Sequence, residues 1–218
     1  MTSKVRFRLD DFKQIAKASP AQVDITLYFE VWSIIQDLKG NKIMNFKPSL
    51  SNYVIIRLVS ILENYFVNRI QKMIDEEGFE PKGIFQNDEI TISILELKEI
   101  KSDGDVTTGK IVSNKLSFQR PDDINFVLSN LLGYNYFERV NKVRYSYTFP
   151  NDVNSVDFNL KEFHELFSLR HQIVHELNSK TEIDSNKLSR LLGQTLLFII
   201  ISQNLIQESL DVKSSKKS

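Results

Sequence analysis

The chain contains no cysteine, which excludes disulfide frameworks and thiolate metal sites. Its longest apolar run, LLFIII at 196–201, is far short of the roughly 20 apolar residues that a membrane-spanning helix needs. The opening MTSKVRFRLDDF lacks the apolar stretch of a signal peptide, so a cytoplasmic protein with no membrane partner is the expectation. Neither charge sign is in excess: 28 Lys and Arg balance 28 Asp and Glu. No internal repeat and no interdomain linker interrupts the chain. Histidine is scarce, with three in 218 residues.

Those three histidines share one short segment. His164, His171 and His175 all lie within LKEFHELFSLRHQIVHEL, whose apolar spacing is helical. On a helical wheel with Arg170 at zero, Phe163, Phe167, Val174, Leu177, Leu166 and Ile173 all fall within about 60° of it. The histidines fall at about 100° to 140°, a stripe along the edge of the apolar face. Arg170 thus sits in the middle of that face. A guanidinium does not shed its proton, and burying it unpaired is very costly. Either an acid meets it inside the fold, or the apolar face ends there at a cleft or a subunit interface. Histidine titrates near neutrality. Three of them beside a permanent cation point to proton transfer next to an anion.

Charge neutrality conceals two unlike regions. Residues 75–105 hold ten acids against three lysines, a block of −7, so the remainder is +7 and a local basic surface is available. With 41% hydrophobic and 26% charged residues, the composition is that of a globular protein with a fair-sized core.

Helix signals dominate the pattern. Ser19-Pro20-Ala21-Gln22 reads as a cap opening a helix to about Leu38. Ser49 or Ser51 opens a long helix ending near Gly78, and Asp122 a shorter one ending at Gly133. Asn159, with Glu162 three residues on, caps the histidine helix. Asp184 or Ser185 opens the last helix, to about Leu210, which is apolar on every side at its centre and therefore the most buried. The short linker between the last two predicts an antiparallel pair. ITISILELKEI reads as helix, and GKIVSNKLSF as a short strand or an extended loop. The predicted fold is all-α, an antiparallel helical bundle over 49–210 with an insertion at about 79–157. An N-terminal helical extension (1–48) packs on it, and a disordered tail (211–218) follows.

Four further features bear on function. Glu63 shares a face with Val59, Phe66 and Ile70, a second charge on an apolar stripe, so Glu63 and Arg170 are expected to pair across the bundle. His171 and His175 stand at i, i+4, a spacing that can ligate a metal. No HExxH motif accompanies them, because Gln172 follows His171, and no third ligand is evident, so the expected site holds no metal and no cofactor. Gly104 to Lys110 fits GxxxxGK, but Ile111 stands where a phosphate loop needs Ser or Thr; a polar surface loop is expected. Finally, YNYFERVNKVRYSY (134–147) interleaves tyrosines with Arg139, Lys142 and Arg144. That pattern fits either stacking and phosphate contact with single-stranded RNA, or an amphipathic helix with half-buried tyrosines.

At Arg170-His171-Gln172-Ile173-Val174-His175 the sequence resembles the HEPN superfamily: an arginine, a polar residue, three variable positions and a histidine on the penultimate helix of an α-bundle. LVSILENYFVNRI (58–70) resembles the long early helix of such domains, with Glu63 at its acidic position. SFQRPDDINFVLSNLLG (117–133) resembles the segment upstream of the motif in some bacterial members. The resemblance implies a metal-independent endoribonuclease that leaves a 2′,3′-cyclic phosphate, or a binding relative without catalysis. It implies RNA as substrate, a homodimer with two motifs in one cleft, a role as toxin or in phage defence, and an antitoxin or regulatory protein as a further partner. Arg170, His175 and His171 would be catalytic and Glu63 supporting; the separate pattern of tyrosines and cations offers Arg139, Lys142 and Arg144 as further substrate contacts. His171 stands where the family most often has asparagine, so two roles stay open for it, catalytic or only polar.

Overall fold

The computed structural model describes residues 48–85, 89–91, 93, 106–143, 146–148, 155–175 and 183–215. Six helices run through them: α1 (Pro48–Asp75), α2 (Thr108–Lys115), α3 (Pro121–Leu132), α4 (Tyr136–Lys142), α5 (Leu160–His175) and α6 (Ser185–Ser215). A two-stranded antiparallel ribbon, β1 (Ser146–Thr148) and β2 (Ser155–Asp157), pairs Tyr147 with Val156 between α4 and α5. The fold is the all-α bundle that the periodicity predicts. The predicted helix at 20–38 and most of ITISILELKEI lie outside the described residues.

α1 and α6 form the long axis. Ser51 donates to the Ile183 carbonyl at 3.2 Å, Phe66 meets Phe198 with ring centroids 5.8 Å apart, and Lys213 lies over the Phe79 ring at 3.4 Å. Contacts therefore advance together along both helices, which run parallel. α5 runs the other way. Glu162 pairs with Arg190 and Glu165 with Lys187, so partners descend along α6 as α5 ascends. The predicted antiparallel arrangement of the last two helices holds.

Phe198 is the hub of the core. Its ring lies 3.9 Å from that of Phe163 on α5, 6.0 Å from Phe137 and 6.1 Å from Tyr136 on α4, and 5.8 Å from Phe158. The stacked ring of Phe158 and the tilted and edge-on rings of the others add to the area burial of each ring. α6 is, as expected, the most buried helix: Leu191 to Ser202 are buried without interruption. By length and composition alone it could cross a membrane, but the bundle covers most of that stretch.

Three local readings are corrected. GKIVSNKLSF is mainly helical, not a strand or loop. Thr107 caps α2, accepting from the Lys110 amide at 3.1 Å, and Val112 is fully buried against the core. The phosphate-loop look-alike ends on this cap. The anion at that helix start is the chain's own Asp75, whose carboxylate accepts from the Gly109 amide at 2.7 Å and from the Thr107 hydroxyl at 2.5 Å. Second, α6 continues to Ser215, beyond the Leu210 where a frayed tail is predicted to begin. The stacking of Lys213 on Phe79 and its bond to the Gly78 carbonyl hold the extra turn. Third, Pro121, not Asp122, opens α3, with Arg120 as the cap residue.

Candidate functional site

α5 is positioned from its N-terminal end. The Asn159 side chain accepts from the Lys161 amide at 3.0 Å, capping the helix as predicted. The reciprocal half of the capping box is replaced, however. The Asn159 amide donates to Gln194 Oε1 at 2.8 Å, and Gln194 Nε2 donates to the Asp157 carbonyl at 2.9 Å and to Glu162 at 3.2 Å. Gln194 is 1% exposed. This one buried amide ties β2, the start of α5 and α6 together. Sequence reasoning missed it, although a glutamine inside LLGQTLLFIII was the signal. The Glu162–Arg190 and Glu165–Lys187 pairs fix the same rotation about the axis.

With α5 held so, Phe163, Leu166, Phe167 and Leu169 face the core. The last turn and a half then leaves it. Arg170 and Ile173 are half-buried, Val174 is 45% exposed, and His171, Gln172 and His175 are exposed. The apolar face ends at Arg170.

The two exposed histidines form a pair. Their ring centroids are 4.4 Å apart with planes inclined at 46°. His164 does not join them. It is half-buried, edge-on to Phe137 at 5.7 Å, and about 10 Å back along the helix. The three-histidine stripe thus divides into a functional candidate pair and a packed residue.

Glu63, half-buried on α1, faces Arg170, but the expected ion pair is not formed. Glu63 Oε1 is buried with no hydrogen-bond partner. Among the described residues Arg170 makes no hydrogen bond or salt bridge; the two interact through their charges alone. Burial raises the pKa of the Glu63 carboxyl above its ordinary value, and the Arg170 charge, acting the opposite way, does not cancel that rise. Desolvation outweighs attraction because the two charges stop short of contact.

Arg139 and Lys142 lie elsewhere. Arg139 pairs with Glu208 at 2.8 Å and stacks on Tyr134, and Lys142 pairs with Glu138 at 2.6 Å. Glu208 is roughly 30 Å along α6 from Lys187, so neither cation joins Arg170 within one chain. Tyr136 and Phe137 are buried, which settles them as packing residues rather than an RNA-stacking platform. Arg144 is outside the described residues. A cleft of about 460 Å³, lined by Asn141, Asp157, Glu162, Arg190 and Gln194, opens at the N-terminal end of α5, opposite the histidine pair. Among the described residues no cluster of three or more His, Asp or Glu could hold a metal.

This end of α5 carries one half-buried cation, with a half-buried carboxylate within its field, and two adjacent imidazoles open to solvent. The imidazoles can take up and release protons, and the guanidinium can stabilise an anion beside them. No curated protein and no solved structure matches the chain. One family model does, described as RiboL-PSP-HEPN, and it matches residues 26–208. It spans α1 through most of α6 and so includes Glu63 and the whole Arg170–His175 segment. By that match the chain belongs to the HEPN family, as a RiboL-PSP-HEPN domain.

Proposed function

We propose that this HEPN domain is a metal-independent endoribonuclease acting on RNA in the cytoplasm, in a toxin–antitoxin or phage-defence setting. The observation that carries the reading is the combination at the end of α5: Arg170 half-buried and, among the described residues, without a salt bridge, on the same two turns as two exposed imidazoles 4.4 Å apart. A structural arginine would be expected to end in a carboxylate pair, as Arg69 does with Glu77 at 2.8 Å.

The reaction balances with these residues alone. His175 takes the proton of the ribose 2′-hydroxyl, and the 2′-oxygen attacks the adjacent phosphorus. Arg170 stabilises the added charge on the phosphorane. The bond from phosphorus to the 5′-oxygen breaks, and His171 protonates that leaving oxygen. The products are a 2′,3′-cyclic phosphate and a 5′-hydroxyl. Glu63 sets the local field on Arg170.

One helix is too narrow to surround a phosphate, so two copies bring their motifs to one cleft about a two-fold axis. Support for this comes from apolar surface at the motif end of the bundle: Val174 is 45% exposed on α5, and Ile56 is 36% exposed on the N-terminal half of α1. The same surface supports the second reading, a non-catalytic module in which the motif meets only RNA, a nucleotide or protein. An antitoxin or regulator is the further partner in either case. Arg139 and Lys142 would meet only a strand long enough to run along α6.

Incubation of a labelled RNA with the full chain in EDTA tests the reading. Cyclic-phosphate ends that disappear in His175→Ala support it. Tight RNA or protein binding without cleavage supports the module.

A further inference from the structure

The proposed reaction uses the two imidazoles separately, one as base and one as acid. Their geometry also suits a joint role. His171 and His175 are one helical turn apart, both exposed, and among the described residues neither ring makes a hydrogen bond. A metal bound by one nitrogen from each ring, at about 2.0–2.1 Å, needs those nitrogens about 3 Å apart. Rings with centroids 4.4 Å apart reach that by small side-chain rotations. Nothing in the core has to move, because neither residue is packed.

We propose that His171 and His175 together chelate one divalent transition-metal ion of the zinc or copper(II) class, and that this occupancy switches the motif off. Imidazole pairs select such borderline ions over magnesium or calcium, which take oxygen ligands. Two imidazoles on one exposed turn hold an ion more weakly than the four closed ligands of a structural zinc site, so the ion exchanges. That is the behaviour of a regulator, not of a structural metal. Arg170 weakens the site but does not abolish it: it projects about 100° or more away around the helix and is turned toward α1. Chelation occupies the ring nitrogens that would accept and deliver protons. The inhibitory half of the proposal rests on the ribonuclease reading; the binding half does not.

The test uses the full chain without a polyhistidine tag. Zinc chloride is titrated by calorimetry into wild type, His171→Ala, His175→Ala and His164→Ala, with magnesium chloride as control. Saturable zinc binding is expected in wild type and His164→Ala, with no magnesium heat. Either ring's loss should weaken zinc binding by at least about tenfold, since even losing an outer-shell partner of a metal ligand costs that much. Binding of wild-type strength in His171→Ala or His175→Ala, or no zinc binding to wild type, overturns the site. Cleavage in the presence of zinc is then compared with cleavage after EDTA. Loss with zinc and recovery with EDTA support the switch, and unchanged cleavage with zinc bound overturns it. Should no RNA be cut under any condition, the ribonuclease reading and the switch fail together, while calorimetry still decides the site.

Discussion

Glu63 lies in the field of Arg170 across the α1–α5 contact without touching it, and burial moves its carboxyl more than that field does. A carboxyl whose folded pKa is raised binds its proton more readily in the folded chain than in the unfolded one. Its contribution favours folding below the ordinary carboxylate range and is lost as pH rises through the raised value. Glu63→Gln should therefore be at least as stable as wild type at neutral pH, with the difference closing on acidification. Thermal melts of both proteins across the acid range check this. Marked destabilisation of Glu63→Gln at neutral pH would restore the ion pair that the sequence led one to expect.

Gly109 is a packing requirement rather than a hinge. A Cβ there would strike the Gln71 carbonyl oxygen and come within 2.7 Å of the Asp75 carboxylate. Gly109→Ala should destabilise by about 1–3 kcal/mol, the usual cost of overpacking. Asp75→Ala should lower the stability as well, by taking the acceptor from the Gly109 amide and the Thr107 hydroxyl at the start of α2. Denaturant titration of both variants measures the two effects. A neutral Gly109→Ala would show that α2 can shift away from α1.

Gln194 should matter to the motif without touching it. Gln194→Ala removes the part-buried hydrogen bonds to the Asn159 amide and the Asp157 carbonyl, at a cost of about 0.5–1.5 kcal/mol each. Because that amide fixes the rotation of α5, RNA cleavage should fall as well, and Gln194→Glu, which keeps the acceptor but sets a buried carboxylate against the Asp157 carbonyl and Glu162, should not restore it. Stability and cleavage rate measured on the same preparations separate the two consequences.

His164→Ala should leave cleavage intact and cost only modest stability. Its ring packs edge-on against Phe137, about 10 Å along α5 from His171. Cleavage assays of His164→Ala beside His171→Ala check the division. Equal loss in both would place His164 in the reaction.

These outcomes also mark what the sequence makes legible. The helix starts at Asn159 and Asp184 follow from local capping chemistry, and both side chains cap as their residue types require. The burial of α6 follows from an apolar pattern with no polar face. The wheel puts Arg170 in the middle of the apolar stripe; that the stripe ends there, with Ile173 and Val174 coming out of the core just beyond it, is visible only in the structure. Long-range partners were not legible. Asp75 on α2, and Gln194 on Asn159, depend on which helices meet, and local periodicity does not record that. For the same reason the Glu63–Arg170 approach was foreseen but its distance was not. Residue type says that two buried charges should find each other; only packing decides whether they touch.

One cleavage experiment with four proteins and two substrates decides whether the α5 motif is a metal-independent ribonuclease. Wild type, Arg170→Ala, His175→Ala and His164→Ala are each incubated with a labelled RNA and with a DNA of matching sequence, with and without EDTA, and circular dichroism confirms each fold. RNA cleavage by wild type and His164→Ala should survive EDTA and leave a 2′,3′-cyclic phosphate. Arg170→Ala and His175→Ala should not cleave, and DNA, which lacks the 2′-hydroxyl nucleophile, should stay intact. DNA cleavage, or activity that appears only with a divalent metal, would contradict the metal-independent ribonuclease.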